Sequence, residues 1–550
     1  MVCEGAREEH EAGRRREVWT LAAIMLAALV VRALISVLAD RVIKWDEPDY
    51  IRLGVNLLTG RGFTTVGYPE LHYTPLFPIV TAAMGLLVRN LEAGSEIVNV
   101  ICGTLLLIPV HGIARRIYGR RVALVAVALL AVLPALTTSV QYWGTMSEPL
   151  YILLVYSALL AVLRVMMGGG LRYYAASGAL FALAYLARPE GITYLVVMLV
   201  LIVVLKGIER RLFDRQTLMG LSAFAVVFVL VTFPYMLYLY RHTGQWTVTG
   251  KLGVTYDIGA AVIAGDAAEY DRVTASLDRE GKEIIWFSEQ RFERSLLDIV
   301  LSDPGAVVDR MVANARTLKG RFLSRTSFPS WFLVPVFLGL FLSAWDRKRL
   351  KQEVFMLCAM APVLSFLPFH VELRFFSPAF PALLIWTAHG LVRLGRWLVE
   401  TFRNLSGGRW SRWEPVLGLI PAVLALLFLL LMQPLAVRDG LEATNFARRS
   451  VGLWLKENTP QDARIMARDL SIAVYADREL VPSPHAEYDR YIGYARAHGA
   501  DYLVADEWEL TVLRPQLAAM LDTESPPDEL ELAHTYRDEK GLTIVYRIRD

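Results

Sequence analysis

The sequence predicts a polytopic α-helical membrane protein that carries a small α/β soluble domain at its C-terminal end. Three observations point there. The 550 residues are 55% apolar and only 20% charged, with a mean hydropathy of +0.39. The apolar residues lie in long runs. "VWTLAAIMLAALVVRALISVL" and "PVLGLIPAVLALLFLLLMQPL" each supply the roughly 20 residues that cross about 30 Å of hydrocarbon. The charges are also segregated. Residues 441–550 hold 13 Lys and Arg against 20 Asp and Glu, a net of −7, which leaves +10 on the rest of a chain whose total is +3.

In chain order, the basic segment "GRRREVW" precedes the first apolar run, at 18–38. That run is too long for a signal-peptide core and no small-residue cleavage site follows it, so it reads as a retained span. Further apolar segments recur at about 97–114, 122–140, 149–165, 171–187, 191–206, 218–240, 328–345, 354–369, 375–391 and 416–433. One more, "PLFPIVTAAMGLLV" (75–88), has the length of an interfacial or re-entrant helix. Charge decides its place. If it does not cross and the N-terminus is cytoplasmic, "RRIYGRR", "RVMMGGGLR", "KGIERRLFDR", "DRKRLK" and "RLGRWLVETFRNLSGGRWSR" all lie inside, as short basic loops do. If it crosses, all of them lie outside. The expectation is eleven spans in a plasma or inner membrane, with a cytoplasmic N-terminus and outer loops at 39–96 and 241–327. The membrane domain covers 1–434 and an extracytoplasmic α/β domain covers 435–550.

The second outer loop reads as helical, with apolar residues at helical spacing in "SEQRFERSLLDIVLSDPGAVVDRMVANARTL". In the tail, "NFARRSVGLWLKENTP" is an amphipathic helix ended by proline. Strand-like "ARIMAR", "IAVYAD", "DYLVAD" and "LTIVYRIR" follow it, with at least one parallel-type crossover. No basic stripe interleaves with aromatics, which excludes nucleic acid as a partner. The three cysteines, Cys3, Cys102 and Cys358, build neither a disulfide framework nor a thiolate metal site.

On this topology the unusual polar groups gather on the outer side. Asp46 and Glu47 in "KWDEPDY" stand between Trp45 and Tyr50 at the end of the first span. An acidic pair at a helix end is often only solvated. At the membrane edge, however, desolvation raises a carboxylate's pKa, and a positioned carboxylate is what a general base for a hydroxyl or amine requires. Glu148 in "TMSEPLY" opens the fourth span, where the helix macrodipole alone favours an acid and Pro149 suits the first turn. It is equally a third outer-face carboxylate, able to position a nucleophile or a cation. Arg188 and Glu190 in "LARPEG" interrupt a long apolar stretch, where ionisable residues are functional or paired with each other. Arg32 lies within the first span and either snorkels or serves a substrate. Arg374 has the planar fork that clamps phosphate. His72 and His370 are too distant in sequence to define a metal site. A P-loop, a GxGxxG fingerprint, HExxH and a serine elbow are all missing from the sequence. No metal site is assigned, and a divalent cation (Mg or Mn) beside the acidic pair is the one cofactor left open.

Together, "DEPDYIRLGVNLLTGRGF" with Arg32 ahead of it, then "HYTPLFPIVTA", "SEPLY", "ARPEG" and an outer soluble domain, resemble the GT-C glycosyltransferases. The nearest branch is that of the protein O-mannosyltransferases and the lipid A aminoarabinose transferase. The likeness runs over the whole membrane part. Its sharpest element is D-E-x-x-Y followed by a short proline-containing juxtamembrane helix. The resemblance implies sugar transfer at the outer leaflet, with inversion, from a polyprenyl-phosphate donor to a glycan, lipid or protein acceptor. It implies catalytic roles for Asp46, Glu47 and Glu148, the last where the family often carries a second acid, usually aspartate. Tyr50 matches the aromatic partner, and Pro75 and Leu76 match the end of a basic-Pro-Pro-Leu element. The basic residue and first proline of that element are here Tyr73 and Thr74, so the donor phosphate falls to Arg374, Arg188 or Arg32. The candidate substrate-binding residues are Tyr50, His72, Tyr73, Arg188, Glu190, Arg374 and Arg32. Membrane lipids are the remaining expected partners. A transporter or flippase of lipid-linked sugars is a competing class. It needs no large soluble outer domain, and inverted repeats, common among such proteins, do not occur here. A non-catalytic scaffold of the same fold is the third reading.

Overall fold

The computed structural model describes residues 2–138, 144, 146–250, 252–285, 296–407, 411–442 and 444–549. The stretch 139–143 with Thr145, just before Glu148, lies outside the described residues. So does the beginning of the helix expected in the second loop, at 286–295.

All eleven apolar segments are helical over most of their described length. Among the described residues, seven helical runs are long and apolar enough to cross a membrane: Glu11–Leu38, Leu91–Tyr118, Glu148–Met166, Gly191–Ile208, Arg215–Thr243, Leu373–Ser406 and Ser411–Glu442. The other four segments carry shorter helices, at Arg120–Ala131, Leu171–Ala187, Leu333–Phe341 and Arg347–Met360. Proline cannot continue an α-helix, and Pro134 and Pro362 open 3-10 turns directly after two of these. Burial ranks the helices. The apolar window of Leu373–Ser406 is 83% buried and runs through the middle of the bundle, whereas that of Glu11–Leu38 is 11% buried and presents its side chains outward.

Leu76–Val88 is thirteen residues long, about 20 Å at 1.5 Å per residue and short of the hydrocarbon thickness. Arg89 ends it in the left-handed region (φ 58°), and the side chain of Asn90 accepts from the Ala93 amide to start the next helix. The two helices then pack face to face. A Cβ on Gly94 would lie 2.6 Å from the Gly85 amide nitrogen, so this close approach requires glycine. Ahead of this hairpin come the helix Glu47–Leu58 and a short antiparallel pair, β1 (Thr64–Thr65) and β2 (Tyr68–Pro69).

The C-terminal domain is built on five strands, β3 (Arg464–Ala467), β4 (Glu479–Pro482), β5 (Tyr502–Asp506), β6 (Leu530–Asp538) and β7 (Gly541–Ile548), in the order β4-β3-β5-β7-β6. The first three run parallel and β5–β7 and β7–β6 antiparallel. The helices Leu470–Ala476 and Tyr488–Ala497 make the crossovers, and apolar clusters cover both faces of the sheet. One expectation is corrected here. "IAVYAD" lies in a crossover helix instead of a strand, because Asp469 caps its N-terminus through the Ser471 amide (2.9 Å) and Asp477 ends it with φ 54°. The amphipathic helix Phe446–Asn458 and the second-loop helix Pro304–Phe322 form as expected, capped by Asn445 and Asp303.

Candidate functional site

A cavity of about 1420 Å³ lies where the membrane helices, both long loops and the C-terminal domain meet. Its floor and walls include Lys44, Asp46, Asp49, Tyr50, His72, Tyr73, Arg188, His370, Glu372 and Arg374. Its roof includes Tyr270, Asp271, Arg468 and Trp508.

Asp46 is placed by the backbone. Trp45 takes φ 58°, uncommon for a bulky residue, and turns the chain so that Asp46 becomes the N-cap of Glu47–Leu58, with Pro48 in the first turn. The carboxylate of Asp46 receives a hydrogen bond from Nη1 of Arg374 at 2.5 Å. Nε of Arg374 donates to Glu372 at 2.6 Å, and His370 Nε2 stands 3.6 Å from Glu372. Burial pushes the Glu372 carboxyl up, but Arg374 and His370 outweigh it and bring the group down to about 2.

A second network stands behind this one. Nη1 of Arg188 donates to Glu148 at 2.6 Å, and its Nε donates to Glu190 at 3.3 Å. The same Nη1 reaches the Ser147 hydroxyl at 3.3 Å, and Ser147 shares a 3.0 Å hydrogen bond with the Tyr50 hydroxyl. Glu148 is 1% exposed, and its Oε2 has no hydrogen-bond partner among the described residues. The Arg188–Glu190 pair across Pro189 thus forms, and Glu148 joins it. Tyr50 packs against Tyr73 (ring centroids 5.0 Å apart) and Phe77 (4.9 Å), and His72 against Tyr73 (4.8 Å). Glu70 fixes this loop by accepting from the backbone amides of His72 and Tyr73.

Glu148 and Glu190 meet Arg188 without lining the cavity themselves, and two further candidates are placed elsewhere. Glu47 is fully buried and turned from the cavity. Both its oxygens accept from Arg41 Nη1 (2.8 and 2.9 Å), and the Lys44 amide adds a third bond (2.8 Å). The helix geometry explains it, since adjacent residues point about 100° apart. Arg32 is 1% exposed and bonds the carbonyls of Ala28, Ala131 and Leu136, satisfying the end of the helix Arg120–Ala131. Neither residue lines the cavity.

The cavity also holds residues that the sequence reading missed. Asp49 follows Asp46 by one helical turn and accepts from the Tyr73 hydroxyl at 3.3 Å. Burial, together with the carboxylates of Asp46 and Glu70, pushes its carboxyl well above the usual range. Its i, i+3 spacing from Asp46 was the available signal. Burial also brings the Lys44 ammonium down to about 8. Asp271, in the second loop, accepts from Arg468 (2.7 Å) and Arg514 (2.7 Å) of the C-terminal domain and lies 3.0 Å from His485. No local pattern announces contacts between residues so far apart in sequence. Among the described residues, no three His, Cys, Asp or Glu side chains group to hold a metal ion, and Asp46 is occupied by a guanidinium. Among the described residues, the cavity's acids Asp46, Glu372 and Asp49 are met by Arg374 and the Tyr73 hydroxyl. What they offer is a carboxylate beside fixed guanidinium groups, an arrangement suited to proton abstraction next to an anion.

Comparison with known proteins agrees with this architecture. The family model described as dolichyl-phosphate-mannose-protein mannosyltransferase matches residues 72–237. No curated protein matches the sequence. The Archaeoglobus fulgidus oligosaccharyltransferase in its apo form is similar with a TM-score of 0.59 at 16% identity, over 96% of this chain and 74% of that one. ArnT from Cupriavidus metallidurans in the apo state gives 0.59 at 13% identity, over 97% and 98%. ArnT bound to undecaprenyl phosphate gives 0.54 at 13%, over 96% and 97%.

Proposed function

We propose that this chain, which has the fold of the GT-C glycosyltransferases, moves a sugar from a polyprenyl-phosphate donor to an acceptor at the outer leaflet. The observation that carries this reading is the Asp46–Arg374 contact inside a large cavity at the junction of membrane and soluble parts. An acceptor hydroxyl or amine gives its proton to Asp46 and attacks the anomeric carbon from the face opposite the phosphate. The bond from that carbon to the phosphate oxygen breaks, and the phosphate leaves with the electron pair. A single displacement of this kind inverts the anomeric centre.

Arg374 and Arg188 meet the charge that builds on the phosphate, since fixed cations in a water-poor site stabilise a developing anion without reorganising. Tyr50, held by Ser147, and Tyr73 shape the wall on which the sugar rests. Glu148 and Glu190 orient Arg188. The lipid phosphate bound in the C. metallidurans relative supports the donor class, and the absence of nucleotide sugars outside the membrane favours it chemically.

The test uses the purified full chain and a panel of polyprenyl-phosphate sugars. Asp46→Asn keeps the shape and removes the base. Donor binding is expected to persist while turnover falls roughly 10²–10⁴-fold. A fully active Asp46→Asn protein would remove the base from this mechanism.

A further inference from the structure

Asp46 and Asp49 face the same cavity from successive turns of one helix, and their electrostatic situations differ. Asp46 is paired with Arg374. Among the described residues, no cation pairs with Asp49. The carboxylates of Asp46, Glu70 and Asp469 act on it among the described residues, and the Tyr73 hydroxyl donates a hydrogen bond to it. The nearby cations are committed, Arg374 to Asp46 and Glu372, Arg188 to Glu148 and Glu190, and Arg448 to Asp469. A carboxylate held among carboxylates without a paired cation takes up a proton more readily than one beside a cation. Burial acts on Asp49 in the same direction. A neutral carboxyl differs from its ionised form in one respect that matters here, because it carries an O–H donor.

We propose that Asp49 is a second working carboxyl of this cavity, and that in its protonated form it donates a hydrogen bond to a phosphate oxygen of the lipid-linked donor. Tyr73 occupies one carboxyl oxygen and holds the group against the wall. The Asp49–Tyr73 pair thereby supplies a donor without adding charge. The bond strengthens as the carbon–oxygen bond breaks and the phosphate gains negative charge. Ionised, Asp49 would instead repel that phosphate. This inference rests on the donor class proposed above.

The experiment measures binding of undecaprenyl phosphate, without a sugar, to the full chain and to two variants. Asp49→Ala is expected to bind about tenfold more weakly, the loss of one hydrogen bond to a charged group. Asp49→Asn restores most of that binding, because its amide also donates. The wild-type affinity falls as pH rises and Asp49 ionises against Asp46, Glu70 and Asp469, so its ratio to Asp49→Asn falls too. If Asp49→Asn binds as weakly as Asp49→Ala, a hydrogen-bond donor at this position does not restore binding and the inference is wrong. If Asp49→Ala binds as wild type does, Asp49 does not touch the phosphate and the inference is equally wrong. A wild-type chain with no affinity for undecaprenyl phosphate removes the donor class first, and this inference with it.

Discussion

Glu47 accepts two hydrogen bonds from Arg41 and one from the Lys44 amide while fully buried, and Arg41 itself is 6% exposed. Neutralising Glu47 removes one acid from a buried guanidinium that also meets Glu96 at 3.0 Å and feels the charge of Glu92. Breaking one side of a buried ion pair costs roughly 3–5 kcal/mol, and Glu96 keeps the effect near the lower end. Glu47→Gln is therefore expected to lower the thermal unfolding temperature of the purified protein, with activity falling in step. Asp46→Asn should leave the unfolding temperature in place and lower turnover alone. A stable but inactive Glu47→Gln protein would return Glu47 to the chemistry. Composition and motif made both acids visible, and neither could tell them apart. The separation comes from where the helix starts, which depends on the left-handed turn at Trp45.

At the scale of elements, the apolar runs were legible because a membrane helix must satisfy its own backbone, so length and hydropathy alone place it. The helix Leu470–Ala476 was not, since a short run of seven residues, apolar but for Ser471, fits either structure and the cap at Asp469 decides. The helix Leu76–Val88 is the instructive case. Charge placed it on one side of the membrane, and its thirteen residues and the Gly85–Gly94 contact fold it back on its successor. If it does not cross, a reporter fused after Leu91 registers the outer side and one fused after Gly119 the cytoplasm. The reverse pattern would make it a span and put Arg188 and Arg374 on the opposite side of the membrane from Asp46.

Across the whole molecule, the sequence showed an acidic tail and a basic membrane part without saying what joins them. The joint is a set of ion pairs of very different depth. Asp271 is 1% exposed and is shared by Arg468, Arg514 and His485, with Arg514 itself fully buried. The backbone continues the seam, since the His485 amide donates to the Ala275 carbonyl at 2.8 Å. Arg449 also reaches across, to Asp40 at 2.8 Å, but there the acid is 71% exposed. Depth decides which contact holds the roof over the cavity. Water and salt screen an exposed pair to about 0–1 kcal/mol. Removing Asp271 takes the shared acid from Arg468 and from the fully buried Arg514, which keeps Glu509 at 2.8 Å, at roughly 3 kcal/mol, the lower end for a broken buried pair. Asp271→Ala is thus expected to raise hydrogen exchange along 267–275 and in the strands beside Ser483, and to lower the unfolding temperature. Asp40→Ala should change neither. Equal responses from the two variants would mean that the seam is held elsewhere. A loosened roof with intact floor residues would also separate substrate closure from chemistry, because Asp46 and Arg374 belong to the membrane part and keep their contact whether or not the roof is seated.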